Sequence, residues 1–316
     1  MIPLAADNLG KVFATGIKGD KVTALKDLTL SVKEGDVYGL LGPNGAGKTT
    51  AIKIFMGLLY PSWGKAEVMG RPCWDVEVKQ RVGFLPEGPY FYEYLSAQEF
   101  LHFYGQLFGL ERAARTRRIK KLLTLVGLDE FRKLKLRRYS KGMLQRIGLA
   151  QALINDPELV VLDEPMAGLD PLGRKQLADI ILGLKEKGKT IFFSSHILAD
   201  VQRICNRIAI VNRGSLIFQG SVKDFLEEGS QGAQIVVEGP EKKLSGLIEG
   251  GGWEAKAAAE GITLRVKDQH VVDKLMATLP SQGFRVKSLM PIKDSLEELF
   301  VKAIDASESK LAGGKG

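Results

Sequence analysis

The chain has 316 residues, of which 45% are hydrophobic, and it carries a formal net charge of +8. That length suits one large or two ordinary domains, and the apolar share is typical of a folded globular protein. We expect neither a membrane-spanning helix nor a signal peptide, because no run of about 18 apolar residues occurs and the N-terminus lacks a basic-then-apolar layout. Cys73 and Cys205 lie too far apart in sequence to form a disulfide framework or a metal site alone, which favours a reducing cytosol.

The N-terminal region leads into a glycine-rich loop. Residues 1–36 predict short strands and turns, and residues 37–41 form an apolar run of strand length. Residues 42–50 fit the pattern G-x-x-x-x-G-K-[ST], and a helical segment continues to residue 56. This order of strand, glycine loop and helix predicts a loop that holds the phosphates of a nucleotide. The alternative is a glycine-rich turn that binds nothing.

Each residue type in the loop has a physical role. Glycines adopt backbone angles that other residues avoid, so successive N–H groups can form a concavity that attracts an anion. The N-terminus of the following helix adds partial positive charge. We expect Lys48 to contact the β- and γ-phosphates and the Thr49 hydroxyl to bind Mg²⁺. The residues expected to bind nucleotide here are Gly42, Asn44, Gly45, Ala46, Gly47, Lys48, Thr49 and Thr50.

A strand and a helical insertion follow the loop. Residues 81–86 predict a short strand stopped by proline, and residues 96–135 have a helical period with breaks at Gly109 and Gly127. Positive charge is concentrated in residues 111–138, which carry eleven lysines or arginines against three acidic residues. Such a segment predicts a surface for anionic lipid headgroups, a protein partner or nucleic acid.

A purely structural alternative explains the basic segment equally well. Four apolar residues at helical spacing form a core stripe within it, so its charges can be the solvated face of a helix; they are Ile119, Leu122, Leu123 and Val126. We expect no nucleic-acid partner, because no aromatic-rich RNA-binding motif accompanies the basic residues.

The next part of the chain predicts a parallel sheet. Residues 159–163 and 190–194 are continuous apolar runs of the kind buried in parallel sheets, and a crossover helix over 172–187 separates them. Residues 207–219 predict a hairpin that turns at 212–214. The core is therefore predicted to be α/β.

Polar residues flank these strands. Asp163 ends an apolar strand and Glu164 follows it, so one carboxylate can hold Mg²⁺ and the other can polarise an attacking water. Ser140 occupies a helix N-cap position, where its hydroxyl and the N–H of Gly142 can contact a phosphate. Taken alone, these residues fit an ordinary strand end and a capped helix equally well.

The composition changes after residue 226. Residues 227–234 are predicted to be a linker, and residues 235–305 a small α+β accessory domain, for which a ferredoxin-like arrangement is one candidate. A final helix is predicted to begin at Asp294, with Glu297 completing a capping box. Residues 306–316 are small and polar and are predicted to be disordered.

Residues 1–220 closely resemble the ATP-binding subunit of ABC transporters, with every motif in the family's order. Residues 42–49 match the Walker A loop, residues 140–142 stand in the signature motif, and residues 159–163 match Walker B. The resemblance implies a P-loop NTPase of ABC ATPase type, with a mixed-sheet core and a helical subdomain at about 96–150. The ATPase domain is expected to span residues 1–226.

The resemblance also implies roles for single residues. Lys48, Glu164 and His196 are expected to be catalytic, with Glu164 as general base and His196 as the switch histidine on the γ-phosphate. Asp170 stands in the D-loop and is expected to couple two sites. Phe13 takes the place of the aromatic residue that stacks on adenine, although core packing is its ordinary role.

Two positions depart from the commonest family pattern. Residues 139–143 read Tyr-Ser-Lys-Gly-Met where Leu-Ser-Gly-Gly-Gln is usual, and Glu87 replaces the Q-loop glutamine. Both changes are similar to a subgroup of single-domain exporter ATPases. Glu87 keeps an oxygen ligand for Mg²⁺, so the expected metal ligands are Thr49, Glu87 and Asp163.

The resemblance implies an assembly as well. ATP and Mg²⁺ would bind between two chains in a head-to-tail dimer, for which a homodimer is favoured, and a separate membrane permease would be driven, with export as the expected direction. The chain would then lie in the cytoplasm on the inner face of the membrane, with an anionic membrane surface as a further partner. The alternatives are a soluble ABC ATPase of translation or DNA repair and a regulatory module that uses the C-terminal domain.

Overall fold

The computed structural model describes residues 2–15, 20–229, 232–239, 253–258, 261–266, 268–292 and 294–313. Its contacts divide the chain into two units, one formed by Met1–Val222 with Ala306–Gly316 and the other by Lys223–Asp305. Each unit encloses a hydrophobic core of its own. Within the described ranges, no helix is long and apolar enough to cross a membrane.

The first unit contains a six-stranded mixed sheet. Its strands are β3 (Val37–Leu41), β6 (Val82–Leu85), β7 (Leu159–Leu162), β8 (Thr190–Ser195), β9 (Arg207–Asn212) and β10 (Ser215–Ser221). Their order is β10-β9-β3-β8-β7-β6, and only β10 runs antiparallel to its neighbour. The predicted α/β core is confirmed. Since β3, β7 and β8 are parallel neighbours, the segments that follow them meet at one edge of the sheet.

A second sheet of this unit is antiparallel. It contains β1 (Leu4–Thr15), β2 (Asp20–Val32), β4 (Trp63–Val68) and β5 (Arg71–Pro72) in the order β2-β1-β4-β5. The first two strands are 12 and 13 residues long, so the prediction of short strands over 1–36 was wrong. Left-handed residues at Asn8 and Asp27, together with register shifts along the pair, interrupt the regular alternation that marks a long strand.

The helices of the first unit surround these sheets. They are α1 (Lys48–Phe55), α2 (Ala97–Leu107), α3 (Arg112–Leu125), α4 (Lys141–Ala152), α5 (Pro171–Glu186) and α6 (Leu198–Ile204). Gly109 and Gly127, just beyond the ends of α2 and α3, have left-handed backbone angles of 70° and 64° that stop those helices. Phe55 at the end of α1 packs edge-on against Phe192 of β8, with ring centroids 5.7 Å apart, and thereby fixes α1 against the sheet.

Helix α7 (Val222–Gly229) belongs to the second unit from Lys223 onward, and that unit contains a four-stranded antiparallel sheet. The strand order is β12-β13-β11-β14, with β11 (Gly232–Glu238), β12 (Trp253–Ala258), β13 (Gly261–Val266) and β14 (Arg285–Ile292). Helix α8 (Gln269–Thr278) lies between β13 and β14 in the chain. The ferredoxin-like arrangement stays a prediction, because residues 240–252 lie outside the described part of the chain.

Three predictions about the C-terminal third were wrong. The linker predicted over 227–234 is the end of α7 and the start of β11, with residues 230–231 outside the described ranges. The capping box is one residue later than predicted, because the Ser295 hydroxyl accepts the Glu298 N–H and the Glu298 carboxylate accepts the Ser295 N–H, whereas Asp294 pairs with Lys302 at 2.9 Å. The tail predicted to be disordered is helical as far as Gly313, since α9 (Leu296–Gly313) continues through it; residues 314–316 lie outside the described part.

Candidate active site

The loop between β3 and α1 is shaped by left-handed glycines. Gly45 and Gly47 have φ angles of 79° and 106°, and Lys48 begins α1 directly after them. A Cβ at Gly47 would lie 2.4 Å from the Ala24 carbonyl oxygen, so only glycine fits this close approach to β2. The loop and the N-terminus of α1 therefore border the same space, which favours an anion.

Lys48 is buried and already paired. Its Nζ donates to the Gly42 carbonyl at 2.8 Å and to the Pro43 carbonyl at 3.2 Å, and it lies 3.2 Å from Glu164 Oε1. Lys48 and Glu164 are 6% and 7% exposed, so each buried charge compensates the other. A bound phosphate would have to compete with Glu164 for this ammonium group.

Asp163 lies at the carboxyl end of β7 and is held by two hydroxyl groups. Ser194 Oγ donates to Asp163 Oδ1 at 2.7 Å, and Thr49 Oγ1 donates to the same oxygen at 3.3 Å. Burial raises the pKa of the Asp163 carboxyl; the hydrogen bonds from Ser194 and Thr49 oppose that rise, and the carboxylate of Glu87 adds to it. The structure thus brings Thr49 and Asp163 together.

Ser194 is a site residue that sequence reasoning missed. It is fully buried at the end of β8, donates to Asp163, and accepts the Glu164 N–H at 2.8 Å. One signal was available, because a serine ends an otherwise apolar strand that was predicted to lie in the same parallel sheet as the strand before Asp163.

Glu164 links the lysine to the histidine. Its backbone is left-handed, with φ of 48°, which is unfavourable for a residue other than glycine. The Ser194 hydroxyl that accepts its N–H supports this conformation. His196 Nδ1 lies 2.8 Å from Glu164 Oε2, and the histidine side chain is 41% exposed. Lys48, Glu164 and His196 therefore form one continuous row of polar contacts.

Lys48, Thr49 and Glu164 line one cleft. Its walls are formed by the phosphate loop, Ala24, Glu87 and Glu164, including the predicted Asn44, Gly45, Ala46, Gly47, Lys48, Thr49 and Thr50. Phe13 is not among the lining residues. It lies on β1, is 36% exposed, and has the Lys11 ammonium 5.2 Å from its ring centroid. The stacking of Phe13 on adenine stays a prediction.

Ser140, Gly142 and Asp170 line a second cleft instead. Ser140 caps α4, and its hydroxyl accepts the Met143 N–H at 3.3 Å, as its N-cap position predicted. Asp170 caps α5 by accepting the Gly173 N–H at 2.9 Å. The Lys141 ammonium lies against Gly168, where a Cβ would be 2.0 Å from Nζ. The two clefts share no lining residue.

Comparisons with known proteins agree on the family. A sequence profile of the ABC transporter family matches residues 25–167. An ABC transporter ATP-binding protein of Synechocystis is 48% identical over 299 residues, which cover 94% of this chain and 83% of the relative. The chain belongs to the ABC transporter family. The bacitracin transport ATP-binding protein of Bacillus licheniformis is 33% identical over 281 residues, covering 88% of this chain and 91% of that protein.

A solved structure supports the same assignment. The ATP-binding subunit of an ABC transporter is 31% identical, superposes with a TM-score of 0.64, and covers 72% of this chain and 93% of its own. This chain is therefore an ATP-binding subunit of an ABC transporter with the P-loop ABC ATPase fold, and it is an ATPase. The first cleft is lined by the residues predicted to form the Walker A loop, and the second by the predicted signature residues Ser140 and Gly142 together with Asp170.

The donor set beside the phosphate loop fits Mg²⁺. The Thr49 hydroxyl and the Asp163 carboxylate are adjacent oxygen donors, and Glu87 adds a third oxygen on the cleft wall. Among the described residues, no group of three or more acidic, histidine or cysteine side chains is arranged to hold a metal alone. A site with few protein ligands suits Mg²⁺, which usually keeps its waters and the phosphate oxygens.

Proposed function

We propose that two copies of this ABC ATPase form a head-to-tail dimer that hydrolyses ATP to drive a separate membrane permease, in the direction of export. The observation that carries the dimer is the separation of the two clefts. Lys48, Thr49 and Glu164 line one, whereas Ser140 and Gly142 line the other, and no residue is common to both. This separation supports the proposal that a second chain supplies the signature cleft of a complete site.

The residues of each cleft support a division of labour. Lys48 would leave its ion pair with Glu164 to contact the γ-phosphate, and the freed Glu164 carboxylate would accept a proton from the attacking water. His196, 2.8 Å from Glu164, would orient that carboxylate and reach the γ-phosphate. The partner chain would supply its Ser140 hydroxyl and the N-terminus of its α4. Asp170, beside the signature cleft, would couple the two sites.

Mg²⁺ would be held by Thr49 and Asp163, with Glu87 on the same wall. It supplies positive charge that neutralises the phosphate oxygens. The chain's own contribution is to keep Asp163 in place, which the Ser194 hydroxyl does at 2.7 Å.

An aromatic groove is the proposed docking site for the permease. Residues 87–94 line it together with Lys141, Leu144 and Gln145, and Tyr90 and Tyr94 are 86% and 69% exposed. Gln145 Nε2 is buried and has no hydrogen-bond partner within the described part of the chain, so a segment that offers an acceptor would satisfy it. Glu87 lines both this groove and the ATP cleft, and is therefore suited to couple them.

The basic surface on α3 is a second proposed contact, with the anionic inner face of the membrane. Arg117, Lys120 and Lys121 are exposed on α3. Arg118 is unsuitable for this role, because it donates to the Leu153 carbonyl at 2.6 Å and pairs with Asp156 at 3.1 Å. This location would place the chain in the cytoplasm against that membrane face.

Export is supported by two features. Glu87 and the Tyr-Ser-Lys-Gly-Met sequence at 139–143 are similar to those of exporter ATPases. The bacitracin transport protein is a relative along nearly its whole length.

Two experiments test this function. In purified protein, ATPase activity per chain should rise with protein concentration, because each site needs two chains. Activity per chain that does not depend on concentration would contradict a reversible monomer–dimer equilibrium. In cells, Tyr90→Ala should lose co-purification with a multi-spanning membrane protein, whereas the control Leu107→Ala, which changes a 65% exposed residue on α2, should keep it. Equal co-purification of both variants would exclude the groove.

A further inference from the structure

The turn between β9 and β10 is bonded to the phosphate loop. Gly214 N–H donates to the Ala46 carbonyl in that loop at 2.9 Å, and the Gly214 carbonyl accepts the Lys26 N–H at 2.7 Å. Ala46 lines the ATP cleft. Lys26 lies on β2 two positions after Ala24, which also lines that cleft. The backbone of the turn is thus tied to two segments that shape the nucleotide site.

Packing around the turn leaves no free space. A Cβ at Gly214 would lie 2.7 Å from the Ala24 carbonyl oxygen, and a Cβ at Gly42 would lie 2.3 Å from the Val211 carbonyl oxygen. Real Cβ atoms do not approach backbone atoms this closely. Because close-packed interiors transmit displacement, a shift of the turn would move the phosphate loop with it.

The end of α9 holds this turn through two side chains. Asn212 Nδ2 donates to Ser307 Oγ at 3.0 Å, and Arg213 lies 2.8 Å from Glu308 Oε1. Asn212 is only 4% exposed, so its amide depends on protein partners, whereas Arg213 and Glu308 are partly solvated at 62% and 42%. Ser307 and Glu308 belong to the same unit as the turn.

Arg213 is an unusual residue for its backbone. Arg213 and Gly214 have φ angles of 47° and 81°, and the flanking Asn212 and Ser215 are paired, which defines a two-residue hairpin turn with both central residues left-handed. Asparagine is favoured over arginine at the first of these positions. Arginine is therefore a less favourable residue than asparagine for this left-handed position, and the contact of Arg213 with Glu308 offsets that cost.

We propose that Asn212 and Arg213 are positioning residues for the phosphate loop, and that the last turns of α9 increase ATP affinity by holding them through Ser307 and Glu308. The inference needs only ATP binding at the loop and is independent of the dimer and the permease. Holding the loop in its binding conformation before the nucleotide arrives removes an ordering cost from binding.

A charge swap tests the proposal. In the full chain, Arg213→Glu and Glu308→Arg should each weaken binding of a fluorescent ATP analogue by about threefold to tenfold, the range expected when an exposed ion pair becomes a repulsion. The double variant should restore the affinity to that of the parent. The KM for ATP should rise in the single variants while kcat at saturating ATP stays unchanged, which a general loss of folding would not produce.

A matched pair and a turn variant serve as controls. Swapping Arg203 and Asp179, a partly exposed pair at 2.8 Å between α6 and α5, should leave ATP affinity unchanged. Arg213→Asn improves the turn but removes the ion pair, so it should still weaken binding; equal or tighter binding would show that the turn needs no support from α9. Single variants that bind as the parent does, or a double variant no better than either single one, would overturn the proposal.

Discussion

The carboxylate of Glu164 is predicted to limit ATP affinity while making hydrolysis possible. In Glu164→Gln, an amide oxygen replaces the carboxylate at 3.2 Å from Lys48 Nζ, and the shape of the side chain is kept. Removal of a general base typically costs about 10²–10⁴-fold in rate. We therefore expect turnover to fall at least about 100-fold.

ATP affinity should move in the opposite direction. Lys48 is paired with Glu164, so the γ-phosphate must displace a buried carboxylate and then tolerate it as a neighbour. At an effective dielectric constant of about 20, two like charges about 6 Å apart repel by about 3 kcal/mol, which sets an upper scale for the gain in binding free energy. The fold should persist, because the Gly42 and Pro43 carbonyls still accept from Lys48.

The assay compares phosphate release at saturating Mg-ATP with binding of a fluorescent ATP analogue, and measures ATP-dependent dimerisation by sedimentation. The variant should bind at least as tightly as the parent and accumulate as a dimer. Glu158→Gln is the control, since Glu158 lies at the other end of β7, where its carboxylate pairs with Arg81 at 2.6 Å, and its turnover should be that of the parent. Turnover of Glu164→Gln within about twofold of the parent would refute the general-base role.

Three further predictions follow from the same geometry. His196→Ala should lower kcat by about 10–100-fold with little change in ATP affinity, because the substitution removes the imidazole that lies 2.8 Å from the Glu164 carboxylate. Steady-state kinetics measure this, and a change confined to KM would contradict the prediction. Asp163→Asn should raise the melting temperature at pH 7.5 while abolishing Mg²⁺-dependent ATP binding. Burial raises the pKa of Asp163 in the folded state, so the charged carboxylate destabilises the fold at pH values above the ordinary aspartate pKa. The gain in melting temperature should therefore shrink as the pH falls toward that value. A gain that does not vary with pH would contradict the argument. Gly47→Ala should lower the free energy of unfolding by about 1–3 kcal/mol and abolish nucleotide binding. Gly188→Ala, with φ of 77° but open space around it, should lower stability and leave nucleotide binding unchanged. Denaturant titration and the binding assay distinguish the two variants.

Local patterns were enough to predict the parts of the site that lie on one segment. The phosphate loop, the capping role of Ser140 and the strands before Asp163 and His196 depend on neighbours within a few residues, and the structure shows each of them. The helical breaks at Gly109 and Gly127 were predictable for the same reason, because a left-handed glycine ends a helix locally.

Features that depend on distant contacts were not predictable. Ser194 became a site residue only because β8 lies beside β7, and the support of Asn212 by Ser307 joins residues 95 positions apart. The helix through residues 306–313 has a polar, alanine- and glycine-containing sequence that resembles a disordered tail, yet Ser307 and Glu308 contact the β9–β10 turn. Tertiary contacts decided the structure there, and propensity did not.

Complementation between two inactive chains tests most directly whether the ATP site is shared. Lys48→Met removes the phosphate-loop lysine. Gly142→Asp adds a carboxylate to the signature cleft at a position where a Cβ meets only Leu169 Cδ2 at 3.8 Å, and an acidic residue suits the first turn of α4. Neither variant alone should hydrolyse ATP. In an equal mixture, random pairing leaves about a quarter of the sites with both halves intact, so ATPase activity should reappear at about that fraction of the parent's. A mixture as inactive as its components would contradict a site built from two chains.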